Sequence, residues 1–227
     1  MRAIPIVFLI LLLSCQRETK QRSEPVSVAA ESDSINSTLV ADRNLVWDYD
    51  PFAKDSLVLA IIEIPAGTNA KWEVTKDGRA IEWEREDNAY RIVKYLAYPF
   101  NYGMVPQTTL PISSGGDGDP LDIAVLGPTR PRGTVVGVRI IGILRLLDRD
   151  ETDDKLVAVD ISGPMGGIRS LDELDSSFAG VTDIVATWFT NYKGPGVTKS
   201  NGFENAEEAW KMLKAANRAF LNSSSRE

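Results

Sequence analysis

Gly115-Gly116-Asp117-Gly118-Asp119-Pro120-Leu121-Asp122, followed at once by Ile123-Ala124-Val125-Leu126, is the stretch from which the chain is best read. Three carboxylates fall within six residues, on a glycine-rich turn that Pro120 stiffens as the chain enters an apolar run with the character of a strand. Three anions this close need relief. Either their pKa values rise, or the turn splays them into water, or a hard cation sits among them. Taken alone, the turn suits a solvated acidic loop as well as it suits a cation site.

Working outward, the flanks are rich in strands. Ser56 to Pro65 is apolar and β-branched and ends in proline, and Lys71 to Thr75 alternates charged and apolar residues. Lys76-Asp77-Gly78-Arg79 is a turn signal, and Ala80 to Arg85 is the return strand of a hairpin. Tyr98 to Gly103 is turn-like and aromatic. Beyond the acidic turn, Thr134 to Leu147 is long for one strand, which predicts a bulge or bend at Gly137 or Gly142. Asp148 to Lys155 forms a second acidic loop, and Leu156 to Ile161 is the next strand. Many short strands at this spacing predict a barrel or a strongly curved sheet.

The C-terminal part turns helical. Val181, Ile184, Val185, Trp188, Phe189 and Tyr192 recur at three and four residues up to Gly194-Pro195. A last helix starts at Asn205, with Glu208 three residues on as in a capping box, and carries Ala209, Trp210, Leu213 and Phe220 on one face. The expected class is α+β, mainly β, with both helices packed outside the sheet.

Composition narrows the chemistry. At 227 residues, 43% hydrophobic and 25% charged, the chain suits one globular domain with appendages. A net charge of -7 leaves no basic stripe for a nucleic acid. The complete lack of histidine removes Ser-His-Asp and Cys-His catalysis and histidine-based zinc sites. The single cysteine, Cys15, has no internal disulfide partner. Carboxylates, lysine, arginine, tyrosine and oxygen-bound metals remain.

The N-terminus reads Met1-Arg2, a short apolar run from Ile4 to Leu13, then Ser14-Cys15. The run is too short to span a bilayer and has the form of an export signal. Leu12-Leu13-Ser14-Cys15 resembles the lipobox of bacterial lipoproteins, where the cysteine becomes the lipidated first residue of the mature chain. The resemblance implies an exported protein anchored by lipid to a bacterial membrane, facing the periplasm or the cell exterior. Residues 1–14 are then signal peptide, 15–44 a polar flexible tether, and 45–227 the domain. No internal repeat is present.

Asp148, Asp150, Asp153 and Asp154 make a second acidic cluster, and two loops at one end of a barrel would bring both clusters together. Oxygen-only ligands point to Mg²⁺, with Mn²⁺ as the alternative. Calcium modules fit poorly. An EF-hand loop from Asp117 would have Leu121 and Asp122 at its fifth and sixth places and Pro128 at its twelfth, and the glycine-rich repeat of calcium β-rolls does not recur.

Asp117-Gly118-Asp119-Pro120-Leu121-Asp122 resembles the signature of the family I soluble inorganic pyrophosphatases, and the resemblance extends from about Leu57 to Trp210. Supporting segments are Ile62-Glu63-Ile64-Pro65, Asn69-Ala70-Lys71-Trp72-Glu73, Tyr98 to Gly103, Leu147-Asp148 through Asp153-Asp154-Lys155, and Tyr192-Lys193. The resemblance implies a five-stranded OB-like β-barrel with helices outside, and Mg²⁺-dependent hydrolysis of pyrophosphate to two phosphates. It implies metal ligation by Asp117, Asp122, Asp148 and Asp153, with Glu63 near a further ion. Asp119 would deprotonate the attacking water. Lys71, Arg85, Lys155 and Lys193 would hold phosphate oxygens, Tyr98, Tyr102 and Tyr192 would donate hydroxyls, and Glu73 would tune its neighbours. A homo-oligomer is also implied. Thr68-Asn69-Ala70-Lys71 and Pro106-Gln107-Thr108 resemble the eukaryotic branch, usually dimeric, and the absence of histidine departs from many hexameric bacterial members. Two alternatives stand beside this reading: a silent metal- or phosphate-binding module, and a hydrolase of other phosphoanhydrides.

Overall fold

The computed structural model describes residues 36–111, 116 and 118–224. The signal segment, Cys15, the tether up to residue 35 and Asp117 lie outside the described residues. In chain order the strands are β1 (Thr38–Val40), β2 (Val58–Ile64), β3 (Trp72–Val74), β4 (Ala80–Trp83), β5 (Arg85–Glu86), β6 (Ala89–Tyr90), β7 (Asn101–Met104), β8 (Asp122–Leu126), β9 (Val135–Asp148), β10 (Glu151–Thr152), β11 (Lys155–Asp160) and β12 (Thr198–Asn205). The helices are α1 (Leu171–Ser177), α2 (Val181–Asn191) and α3 (Ala206–Ser224).

Five strands carry the architecture. β2, β7, β8, β11 and β9 pair in that order, and the first residues of β9 pair with β2, so the ring of pairings returns to its start. This is the expected five-stranded OB-like arrangement. β8 and β11 run parallel, and the other ring pairs run antiparallel.

The length of β9 makes the ring possible, because it meets β2 through Val135–Val138, β11 through Val138–Leu144 and β12 through Gly142–Asp148. Its register against β11 slips between Gly142 and Ile140, a local irregularity of the kind that bends a strand, at the second of the two glycines expected to do so. Glycine is required there by close approach. A Cβ on Gly142 would stand 2.5 Å from Leu171 Cδ1 and 2.7 Å from the Glu204 carbonyl oxygen.

β8 and β11 feed two cores with alternate residues, and β2 and β9 change core across their register shifts. Ile64, Ala124, Leu126, Leu144, Val157 and Val159 pack with Val185, Trp188 and Phe189 of α2. Val58, Ile62, Ile123, Val125, Ile140, Leu156 and Ala158 pack with Ala209, Leu213 and Ala216 of α3. Asn205 Oδ1 accepts the Glu208 N–H at 3.1 Å, so α3 starts at its expected cap.

Two expectations change, and two elements are added. The tether reaching residue 44 is too long, because β1 pairs with β4 and Asn44 Oδ1 accepts the N–H groups of Val46 and Trp47. Its apolar content there is only Leu39-Val40-Ala41, too short a run to stand out from the polar background. The segment expected as a turn at Tyr98–Gly103 instead delivers the buried strand β7, whose Gly103 lies against the Ile61 carbonyl. The short helix α1 is capped by Ser170 accepting from the Glu173 N–H, and Ser170 and Glu173 have capping-box spacing. β12 has no signal of its own in the sequence, because Thr-Lys-Ser-Asn-Gly-Phe-Glu-Asn has no apolar alternation.

Candidate active site

One cavity of about 410 Å³ collects most of the chemistry-bearing residues. β2 delivers Glu63 and the segment around β3 delivers Lys71 and Glu73. Tyr98 and Tyr102 come from the entry to β7 and from β7 itself. Asp119 and Asp122 come from the acidic turn and the first residue of β8, Asp153 and Lys155 from the hairpin into β11, and Tyr192 and Lys193 from the end of α2. Asp148, at the end of β9, joins them through Lys193, whose Nζ donates to Asp148 Oδ2 at 2.8 Å. The strand ends place these groups together because residues remote in sequence meet across the ring of pairings.

Lysines and carboxylates alternate. Lys155 is almost fully buried, and its Nζ donates to Asp122 Oδ2 and Asp153 Oδ1, each at 2.5 Å. Lys193 Nζ also lies 3.7 Å from Asp153 Oδ2. Lys71 Nζ donates to Glu73 Oε1 at 2.5 Å and sits 5.7 Å from the Tyr102 ring centre. Lys76, on the β3–β4 turn, donates to Asp119.

Burial and charge tune these groups in opposite directions. Burial alone would lower the Lys155 pKa, but Asp122 and Asp153 hold it above the ordinary lysine value. Burial also works against Lys71, and Glu73, Tyr98, Glu63 and Asp122 outweigh it. Asp122 shows the converse: burial pushes its carboxyl up, and Lys155, Lys71 and the Tyr102 hydroxyl bring it below the ordinary value. Burial pushes Glu63 up to about 8, against Lys71 and the Val74 N–H, which donates to Oε1 at 2.7 Å. Burial raises Tyr98 and Tyr102, so both are neutral hydroxyl donors at pH 7.

The donor set fits an oxygen-bound divalent cation. Asp122 and Asp153 converge on one ammonium, and Asp148 Oδ1 is buried with no hydrogen-bond partner. Among the described residues no three carboxylates converge by themselves as a cation cage, and Asp117 lies outside those residues.

Arg85 does not join the cavity. It lies exposed on the β5–β6 hairpin, its guanidinium 4.3 Å from the Tyr90 ring centre. Arg91, one residue beyond that hairpin, lines the cavity instead and donates to Glu84 Oε1 at 2.7 Å. Both arginines belong to one charged stretch, and only the hairpin register tells which one turns inward. Lys76, in the turn Lys76-Asp77-Gly78-Arg79, is a second cavity cation outside the expected set.

The family model described as inorganic pyrophosphatase matches residues 60–221. An inorganic pyrophosphatase of Candida glabrata is 33% identical over 171 residues, which cover 69% of this chain and 60% of that protein, so the chain spans less than two thirds of that relative's length. The inorganic pyrophosphatase structure from Schistosoma japonicum superposes with a TM-score of 0.72 at 30% identity, covering 76% of this chain and 69% of that one. An N-terminally truncated vacuolar soluble pyrophosphatase of Trypanosoma cruzi, solved in complex with PPi, gives a TM-score of 0.70 at 25% identity, covering 84% and 78%. Since the family model matches well over half of the chain and solved pyrophosphatases superpose on its fold, the protein belongs to the inorganic pyrophosphatase family.

Proposed function

We propose that this protein hydrolyses inorganic pyrophosphate to two phosphates with the help of a divalent cation, Mg²⁺ in the first place and Mn²⁺ as the alternative. The observation that carries this is the interleaving of Lys71, Arg91, Lys155 and Lys193 with Asp122, Asp148 and Asp153 in and around one cavity. A site of cations alone would bind a phosphate, and a site of carboxylates alone would bind a metal. Both together suit a polyanion that arrives with its counter-ions.

Asp117, Asp122 and Asp153 would hold one cation, Asp148 and Asp153 another, and Glu63 would serve a further one. Bound there, a cation supplies neutralising charge to the diphosphate and Lewis acidity. The chain's own groups do the rest. Lys71, Arg91, Lys155 and Lys193 take the phosphate oxygens, and Tyr98, Tyr102 and Tyr192 donate hydroxyl hydrogen bonds. Asp119, on the cavity wall, accepts a proton from water as the water oxygen bonds to one phosphorus. The bridging P–O bond breaks, and the departing phosphate keeps the bridging oxygen and its electron pair, stabilised by the lysines. Glu73 anchors Lys71.

The export signal and lipobox support a lipid-anchored location outside the cytoplasmic membrane. The resemblance supports a homo-oligomer, either a dimer as in the eukaryotic branch or a hexamer as in many bacterial members.

The test is phosphate release from pyrophosphate by the purified protein, with Mg²⁺ and with EDTA, beside ATP and tripolyphosphate. Turnover of pyrophosphate that EDTA abolishes is the expected result. Faster turnover of ATP or tripolyphosphate would move the reading to another phosphoanhydride, and a folded protein that binds Mg²⁺ without turnover would make it a binding module.

A further inference from the structure

Asp148 has two carboxylate oxygens, and one of them is accounted for. Oδ2 accepts from Lys193 at 2.8 Å, while Oδ1 is buried with no partner. Among the described residues only two other buried side-chain atoms lack a hydrogen-bond partner, and one of them is Thr198 Oγ1. Thr198 is 4% exposed and stands directly opposite Asp148 in the β12–β9 pairing.

The type of pairing matters. The Arg149 N–H donates to the Val197 carbonyl at 3.0 Å, so the adjacent pair, Asp148 with Thr198, is of the non-hydrogen-bonded kind. In such pairs the two side chains lie on the same face and approach most closely. Lys193 and Thr198 also flank one short loop, residues 194–197, which carries the chain from the end of α2 into β12. One end of that loop engages Asp148 Oδ2, and the other end faces the same carboxylate from across the strand pair. A hydroxyl can donate one hydrogen bond and accept others, whereas an ionised carboxylate only accepts, so a small polar ligand between them satisfies both.

We propose that Thr198 is a positioning residue of the candidate metal site: its hydroxyl and Asp148 Oδ1 together hold one water of a divalent cation's hydration shell, which fixes the Asp148 carboxylate for that cation. The proposal rests on the pyrophosphatase reading given above. Lys193 then serves Asp148 from one side and Thr198 from the other, and the carboxylate has no freedom to turn away when Lys193 engages phosphate.

The experiment is a Mn²⁺ titration followed by electron paramagnetic resonance on the whole protein, with pyrophosphate turnover and thermal melting measured in parallel. Thr198→Val keeps the shape and removes the hydroxyl, Thr198→Ala removes the hydroxyl with less bulk, and Thr198→Ser restores it. The expected result is about a tenfold loss of Mn²⁺ affinity in each of the first two variants that retains the wild-type melting temperature, with recovery in Thr198→Ser. Unchanged Mn²⁺ affinity in a folded Val or Ala variant overturns the proposal, as does an equal loss in Thr198→Ser. Failure of both the Val and Ala variants to fold while Thr198→Ser folds with weakened binding also overturns it, because the hydroxyl is then structural. Wild-type protein that neither binds Mn²⁺ nor turns over pyrophosphate overturns the pyrophosphatase reading and this proposal with it. Wild-type protein that does both while Thr198→Val matches it overturns the proposal alone.

Discussion

Arg85 and Arg91 differ by six positions and by everything that matters for chemistry. Arg91 lines the cavity with Glu84 at its guanidinium, and Arg85 lies on an exposed hairpin against Tyr90. A charged hydrogen bond to phosphate contributes about 1.5–3 kcal/mol. Arg91→Ala is therefore expected to lower kcat/KM for pyrophosphate by about 10- to 150-fold, while Arg85→Ala stays within about twofold of wild type because an exposed charge contributes little. Steady-state kinetics on the two variants checks this, and a larger loss in Arg85→Ala would reverse the assignment. Asp119→Asn keeps the size of the side chain and removes the proton acceptor. A loss of about 10²- to 10⁴-fold in kcat with little change in KM is expected, and a change confined to KM would count against Asp119 as the base. Asp119 and Asp122 were legible in the sequence through the resemblance of Asp117-Gly118-Asp119-Pro120-Leu121-Asp122 to a family signature, since three carboxylates on a glycine-rich turn alone suit a solvated loop equally well. Arg91 was not legible, because nothing in Glu84-Arg85-Glu86-Asp87-Asn88-Ala89-Tyr90-Arg91 says which arginine faces inward until the hairpin closes.

At the scale of elements, α3 shows how periodicity became packing. Ala209, Leu213, Ala216 and Phe220 are buried, and the first three join the core that β2, β8, β9 and β11 feed. Leu213→Ala should cost about 2–5 kcal/mol, the usual range for a cavity left in a close-packed core, and Asn205→Ala about 1 kcal/mol through loss of the helix cap. Urea unfolding of both variants measures the ratio. A cost at Asn205 equal to that at Leu213 would mean that α3 is held by its end and not by its face. In α2 the same reading was only partly right, since Ile184 is 55% exposed while Val185, Trp188 and Phe189 are buried. A stripe drawn from spacing has a width that the sequence leaves open, and Ile184 falls at its edge.

For the whole molecule, Asp160 ties distant parts together. Its side chain is fully buried at the end of β11, and Oδ2 accepts from Arg130 Nε at 2.6 Å while Oδ1 accepts from the Ser162 N–H and hydroxyl. Burial acts to raise its pKa, and the bonds from Arg130 and Ser162 outweigh burial and hold it below the ordinary 3.8. A carboxylate lowered on folding contributes stability that is fully present above its unfolded value and is lost as pH falls through the folded value. Asp160→Asn is thus expected to destabilise the protein by about 1–3 kcal/mol at pH 7, and the gap from wild type should shrink when unfolding is repeated at about pH 3, below the unfolded value. A gap of the same size at both pH values would show that the charge of Asp160 is not what the fold uses.

By itself the sequence determined the family, the strands β2 to β4, β8, β9 and β11, the helices α2 and α3, the N-terminal cap of α3 and the chemical class of the site, because those rest on local signals: turn residues, alternation, helical spacing and a dense acidic motif. Tertiary structure decided the rest. It alone showed that Asp122 and Asp153 share the Lys155 ammonium, that Asp148 meets Lys193 on one side and pairs with Thr198 on the other, and that Arg91 lines the cavity in place of Arg85. Each of these depends on the pairing and register of strands, and a register is set by the sum of contacts along both partners. No single residue carries that information.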